Sequence, residues 1–493
     1  MTRSRIAYSL LILLLSSACA GNELHPSSRS NGSQAPGSTI DSEPSTTEAG
    51  EPDISDQFLE WESCDAGFDC TTLSVPLDWQ KPEGDRIDLA ITRKKAEGTR
   101  IGALVTNPGG PGGSGIDFIQ SGPFGGELAK SFDLVSFDPR GVGASEGLQC
   151  DEFVDDHLKN DPDPDTPEEQ AALDRDAAKV ADQCSTEELL PFMGTDSVAR
   201  DLDAIRAALG EKKLTYMGFS YGTMIGLRYL ELFPRNARAI VLDGVVDPTA
   251  DLNGLLRQQT IAINDSVNRA FETCTKRAGC TLGDAAAAYD KLAERVEKEP
   301  MKGSGDLNLG PSELATGAIY VSYDPSLWGS LLDALTAALE EDDPEPMLDL
   351  AAGYYDFGGF ASYVAVECID NPHPNTPAEW ALFSDELEQL SPRFGGSIAN
   401  ELLPCATWAA PTQSVVGPVR GELGPEVLVL GNRGDAATPY DNSVSVAEML
   451  AQAQLVSYDG EGHTSYGRTR CVDEVVEAYL IDLDVPERDP DCK

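Results

Sequence analysis

The sequence predicts an α/β fold in which a mostly parallel central sheet is flanked by helices and a mainly helical block is inserted between its strands. Three observations carry that prediction. Strand-like and helix-like runs alternate from 101 to 246, the pattern of parallel strands joined by right-handed crossovers. After Asp247 the alternation stops, and 248–410 is largely helix-prone. Strand signals return at Glu426–Leu430 and Leu455–Tyr458.

Taken in order, residues 1–19 read as a cleaved signal. Arg3 and Arg5 precede a short apolar run, Ile6–Leu15, too brief to span a bilayer. Ser16-Ser17-Ala18-Cys19 is similar to a bacterial lipobox, in which the cysteine is lipidated; Ser16 stands where Leu is usual. This predicts an exported chain held to the outer face of the membrane by a lipid on Cys19, with plain secretion as the alternative. Residues 20–56 are rich in Ser, Pro, Thr and Gly and nearly devoid of large apolar side chains, so they read as a flexible tether. Residues 57–247 and 411–493 form the two parts of the sheet core.

Within the core, Thr71–Pro76 and Ile87–Arg93 alternate as strands do, and Ile101–Thr106 is a third strand. It runs into Asn107-Pro108-Gly109-Gly110-Pro111-Gly112-Gly113-Ser114-Gly115, a loop whose backbone must lie open to something. Phe132–Phe137 is a buried strand, and Asp138 and Arg140 after it are placed to pair with each other. Residues 151–190 read as an acidic surface excursion bracketed by Cys150 and Cys184. Val198, Leu202, Ile205 and Leu209 give a helix over Asp196–Leu209, with Asp196 as its cap. Ala239–Val246 is a fully buried strand.

Formal net charge is −47. A phosphate backbone needs Lys and Arg, so nucleic acid is excluded as a partner, and anionic lipid gains nothing electrostatically. Membrane contact is expected through the N-terminal lipid only. The chain has 11 cysteines; setting Cys19 aside leaves an even number, which in an exported chain suggests disulfides. Connectivity is not deducible, but nearness along the chain suggests Cys64–Cys70, Cys150–Cys184, Cys274–Cys280, Cys368–Cys405 and Cys471–Cys492. With no Cys-x-x-Cys and only four histidines, neither a metal site nor a cofactor is expected. Oligomeric state is open.

The chemistry centres on Leu214–Thr223, LTYMGFSYGT. An apolar β-prone run leads into Gly218-Phe219-Ser220-Tyr221-Gly222, and a helix-like run follows. That is the strand–turn–helix setting in which a tight G-x-S-x-G turn exposes a nucleophilic serine. A serine hydroxyl needs a base, nearly always His, and the His needs an acid. His25 lies in the tether, His157 in the acidic excursion and His373 in a Pro-rich loop. His463, in GEGHTSY after the last predicted strand, is the candidate base. Asp435, in the loop after the EVLVL strand, is the candidate acid, with Asp243 as its rival.

With its motifs in order, the chain resembles the exported branch of α/β-hydrolase serine peptidases that contains the tripeptidyl aminopeptidases. That branch is related to prolyl iminopeptidases and includes mycobacterial-type lipoprotein carboxylesterase/peptidases. The motifs are NPGGPGGSG (107–115), FDPRGVGAS (137–145), GFSYGT (218–223), LFPRNARAIVLDGVVDP (232–248), GDAATP (434–439) and GEGHTSY (460–466). The resemblance implies an α/β-hydrolase fold with a helical cap over 248–410. It implies Ser220, Asp435 and His463 as a triad, and the N–H groups of Tyr221 and Gly110 as oxyanion donors. An exopeptidase of this kind must also hold a free α-amino group, for which Glu367 and Asp370 in the cap are candidates. The expected activity is release of short N-terminal peptides. Carboxylesterase or lipase action is the alternative, and an inactive binding lipoprotein is the remote one.

Overall fold

The computed structural model describes residues 59–64, 67–305, 307–355, 359–413 and 417–493. The signal, the tether and Cys19 lie outside the described residues.

The main sheet has ten strands: β1 (Glu62–Ser63), β2 (Asp69–Pro76), β3 (Arg86–Lys94), β4 (Gly102–Asn107), β5 (Phe132–Phe137), β6 (Leu214–Phe219), β7 (Ala237–Asp243), β10 (Val427–Gly434), β11 (Ala453–Glu461) and β12 (Asp491–Cys492). Their order is β1-β2-β3-β5-β4-β6-β7-β10-β11-β12. From β1 to β5 neighbours pair antiparallel; from β5 to β12 all pair parallel. Two short strands, β8 (Met301–Lys302) and β9 (Asn308–Leu309), make a separate hairpin.

The central strands read as unbroken apolar runs because both faces of the sheet are covered. Tyr216, Ile240, Leu242 and Val429 point into one core; Met217, Val241, Leu428 and Leu430 point into the other. A third core lies within the helical block, around Leu256, Leu331, Leu335 and Trp380.

Three local expectations are corrected. Residues 151–190 are not a surface excursion. Their long helix, Pro167–Cys184, puts Leu173 and Ala177 into the core of the helical block, while Val180 and Cys184 join a core of the sheet. Asp138 and Arg140 do not pair. Arg140 is fully buried and makes a two-pronged bond to Asp201 at 2.7 Å on each prong, also donating to the carbonyls of Pro76, Leu77 and Phe192. Asp138 instead accepts from the Ser114 hydroxyl and the Ile116 and Ala144 amides, which fixes the exit of the Gly-rich loop. Asp196 does not cap its helix, which spans Thr195–Ala208 with Gly194 at the N-cap; it pairs with Arg200 and Arg228. Five bridges are present among the described residues, and they are the pairs suggested by nearness along the chain.

Candidate active site

Ser220 sits between the end of β6 and the helix Gly222–Leu232. Its φ is 53°, left-handed for a residue with a side chain, a conformation that costs on the order of 1–2 kcal/mol and persists only where neighbours over-determine it. The neighbours do so. The Ser220 amide donates to the Asp243 carbonyl at 2.9 Å, and Thr223 Oγ1 donates to the Ser220 carbonyl at 2.6 Å. The turn admits no side chains beside it: a Cβ on Gly218 would lie 2.3 Å from the Gly222 carbonyl, and one on Gly222 would lie 2.6 Å from the Asn107 carbonyl.

The Gly-rich loop after β4 lies against this turn. At Gly109 an added Cβ would fall 2.8 Å from the Tyr221 nitrogen and 3.0 Å from the Ser220 Cβ. Asn107 Oδ1 accepts the Gly109 amide at 2.9 Å and holds the loop in place. Among the described residues, the Gly110 and Tyr221 amides have no protein acceptor, and both residues line the cavity that Ser220 faces.

His463 follows β11. Its Nδ1 lies 2.9 and 3.0 Å from the two oxygens of Asp435, whose side chain is wholly buried. Asp435 also accepts from the amides of Ala437, Thr438 and Thr464 and from the Thr438 hydroxyl. So many donors fix the orientation of the carboxylate. The other ring nitrogen of His463, Nε2, is buried and has no hydrogen-bond partner among the described residues, and the ring lines the same cavity as Ser220. Asp243, the rival acid, is employed elsewhere. It accepts the amides of Ser465 and Tyr466 and so shapes the turn after His463, and burial pushes its carboxyl up to about 6.

The helical block reaches the same turn. The His463 amide donates to the Tyr323 carbonyl at 2.8 Å, and the Arg468 guanidinium donates to the carbonyls of Tyr323 and His463. The Tyr323 ring stands edge-on to the imidazole, centroids 5.6 Å apart. Arg269 of the block holds Glu461, two residues before His463, with two bonds of 2.7 Å.

Block and core together enclose a cavity of about 640 Å³, with Ser220 and His463 on its floor. Its walls carry tyrosines (Tyr320, Tyr323, Tyr354, Tyr363) and three carboxyls, the buried Glu367 and Asp370 and the half-buried Glu401. Burial pushes Glu367 up to about 8, with the Asp370 and Glu401 charges adding to the shift, and it pushes Asp370 and Glu401 up to about 7. Glu367 accepts from Asn371 at 2.9 Å and Glu401 from the Tyr354 phenol at 3.2 Å; neither has a cationic partner among the described residues. Among the described residues, Asp370 accepts only from Thr195.

Both sequence-predicted acids therefore reach the cavity, Glu401 joins them unforeseen, and so does His157, buried with Nε2 3.4 Å from the Glu401 carbonyl oxygen and pushed down to about 4 by desolvation. The cue for Glu401 was Cys405: a bridge to Cys368 brings the Glu401 segment beside Glu367. Among the described residues, Asp161, Glu169 and Glu297 bring carboxylate oxygens within 4.8 Å of one another, as a cation site would, but none of the three lines the cavity.

Comparison with known proteins places the chain in a family. Residues 102–467 match the alpha/beta hydrolase fold family. The chain is 35% identical over 481 residues to the serine protease Hip1 of Mycobacterium tuberculosis, covering 88% of this chain and 91% of that protein. It is 34% identical over 474 residues to the tripeptidyl aminopeptidase of Streptomyces lividans, covering 88% of this chain and 86% of that one. It is also 34% identical over 449 residues to carboxylesterase B of Mycobacterium tuberculosis, covering 86% of each.

Proposed function

Because the chain belongs to the alpha/beta hydrolase fold family and is a serine hydrolase, we propose that it is an exported aminopeptidase that releases short peptides from free N-termini through an acyl-enzyme on Ser220. The observation that carries the substrate class is a pair of carboxyls, the buried Glu367 and the half-buried Glu401, without a cationic partner among the described residues, in the cavity that holds Ser220 and His463. Buried acids lacking a basic partner are costly, and a substrate ammonium supplies the missing charge.

In this reading His463 Nε2 takes the Ser220 proton as Oγ attacks the acyl carbonyl, while Asp435 holds the imidazole tautomer and steadies the imidazolium. The N–H groups of Tyr221 and Gly110 receive the oxyanion; a donor of this kind is worth about 3 kcal/mol in the transition state. His463 then protonates the departing amine, and water, activated by the same ring, cleaves the acyl-enzyme. The 248–410 block serves as the cap that limits what enters. The leader and Cys19 support export with a lipid anchor, and the five bridges fit an oxidising compartment. A labelled acyl chain that attaches to the unaltered chain and not to Cys19→Ser tests the anchor.

A carboxylesterase reading keeps the same machinery and is favoured by the relative named carboxylesterase B. A tripeptide anilide with a free amine, the same compound N-acetylated, and a p-nitrophenyl ester separate the two. The aminopeptidase reading expects the free-amine anilide to be cleaved best. Cleavage of the ester alone would leave only the esterase.

A further inference from the structure

Asp370 differs from Glu367 and Glu401 in what its oxygens do. Both accept the Thr195 amide, at 3.1 and 3.0 Å, and Oδ2 also accepts the Thr195 hydroxyl at 2.5 Å. Thr195 opens the Thr195–Ala208 helix, whose N-cap residue, Gly194, has no side chain to offer. Asp370, at the end of the helix Phe360–Asp370, takes over that duty, placing an anion at the positive end of a 14-residue helix. The approach depends on Gly194: a Cβ there would lie 2.7 Å from Asp370 Oδ1.

The Thr195 hydroxyl is bonded in turn to the phenol of Tyr221. A hydroxyl has one proton to donate. With that of Thr195 aimed at the carboxylate, the Tyr221 O–H donates to Thr195 Oγ1, and the three groups form a one-way chain. All three residues are buried, Thr195 at 0% exposure, Asp370 at 3% and Tyr221 at 8%.

We propose that Asp370 is a positioning residue and not a substrate ligand: through Thr195 it fixes the Tyr221 side chain, and with it the direction of the Tyr221 N–H beside Ser220. The proposal rests on the serine-hydrolase reading in which that N–H receives the oxyanion. It explains why a residue at a strained turn carries a phenol tied down at its far end. Tyr221 follows Ser220, whose left-handed backbone needs external restraint. It also links the seating of the helical block, which contributes Asp370, to the readiness of the oxyanion site in the core.

The test uses Thr195→Val, Tyr221→Phe and Asp370→Asn in the full chain, with the free-amine anilide, its N-acetyl form and the p-nitrophenyl ester as substrates. Tyr221→Phe keeps the ring and its packing, and thermal melts identify any variant that fails to fold. Outright loss of an oxyanion donor costs about 10²–10³ in kcat, so loosening one is expected to cost ~10-fold on all three substrates, with KM within about twofold. The double variant Thr195→Val/Tyr221→Phe is expected to be no slower than the slower single, because both break one chain. The rate of fluorophosphonate labelling of Ser220 should fall in parallel, since it uses the oxyanion site without the amine subsite. Unchanged kcat and labelling rate in folded Tyr221→Phe would overturn the proposal. So would an Asp370→Asn variant whose only defect is a raised KM for the free-amine substrate, since that would make Asp370 the ammonium ligand. Failure of the unaltered chain to take the label or cleave any of the three would remove the serine-hydrolase reading, and the proposal with it.

Discussion

Lowering the pH from 8 to 6 should weaken binding of free-amine substrates about 20-fold while leaving their N-acetylated forms nearly untouched. The magnitude follows from Glu367, whose carboxyl is pushed up to about 8 by burial and by the nearby Asp370 and Glu401 charges. Below that value the free enzyme holds a proton that it must release before a carboxylate can face an ammonium. Well below pH 8 each unit costs about 1.4 kcal/mol, tenfold in KM, but at pH 8 the carboxyl is already half-protonated and the amine partly deprotonated, which leaves about 20-fold between pH 8 and 6. Above pH 8 the substrate amine, with a value of about 7.7–8.0, begins to lose its own proton, so KM should pass through a minimum near pH 8. The assay is KM for a tripeptide anilide across pH 5.5–9, divided at each pH by KM for its acetylated form, which cancels effects common to both. Glu367→Gln should flatten the ratio above pH 7 and leave only the slope due to Glu401, whose value is about 7. A ratio that stays flat from pH 6 to 8, or that keeps its full slope in Glu367→Gln, would refute the assignment of Glu367 as the ammonium's partner.

Further predictions concern chemistry and stability. Asp435→Asn should reduce kcat by about 10⁴ with KM little changed, because the amide cannot fix the same His463 tautomer; steady-state kinetics on the ester measure it. Ser220→Gly should abolish fluorophosphonate labelling yet raise the unfolding free energy by ~1 kcal/mol, since glycine accepts φ of 53° without strain; chemical denaturation reads the gain. Stability should fall as pH rises from 5 to 8. Glu367, Asp370 and Glu401 hold their protons more tightly folded than unfolded, so the stabilisation they lend is present below pH ~4 and is lost as pH passes 7 to 8. Melting temperatures across that range should drop, and should drop less in Glu401→Gln. Asp201→Asn should destabilise the fold by about 3–5 kcal/mol by stranding the buried Arg140 guanidinium, read from denaturant midpoints.

Much of the site is legible from the sequence because its parts are local. Ser220, His463 and Asp435 each follow a strand within a few residues of glycine, so short runs such as GFSYGT and GEGHTSY carry both the chemical group and the turn that presents it. The strands are equally plain, since apolar runs of six residues covered on both faces have few other uses. What escapes is long-range pairing of charges. Arg140 lies two residues from Asp138 and 61 from Asp201, yet takes the distant partner, because Asp138 is claimed by the Ser114 hydroxyl and the Ile116 and Ala144 amides, while the buried Asp201 also accepts from the Trp79 indole. Glu401 sits in an undistinguished run, SIANELLPC, and only folding of the helical block sets it beside Tyr354. The acidity of 151–190 suggests solvent, but its apolar positions, Leu173 and Ala177, settle where the helix packs.

The bond from the His463 amide to the Tyr323 carbonyl ties together parts of the chain far apart in sequence. His463 belongs to the C-terminal part of the sheet, and the carbonyl that holds its backbone belongs to the inserted block. Until both have folded, the imidazole has no fixed seat. In the proposed mechanism the base is therefore seated only when the sheet and the inserted block have both folded. Activity regained during refolding should accordingly trail the return of sheet structure and coincide with closure of the block.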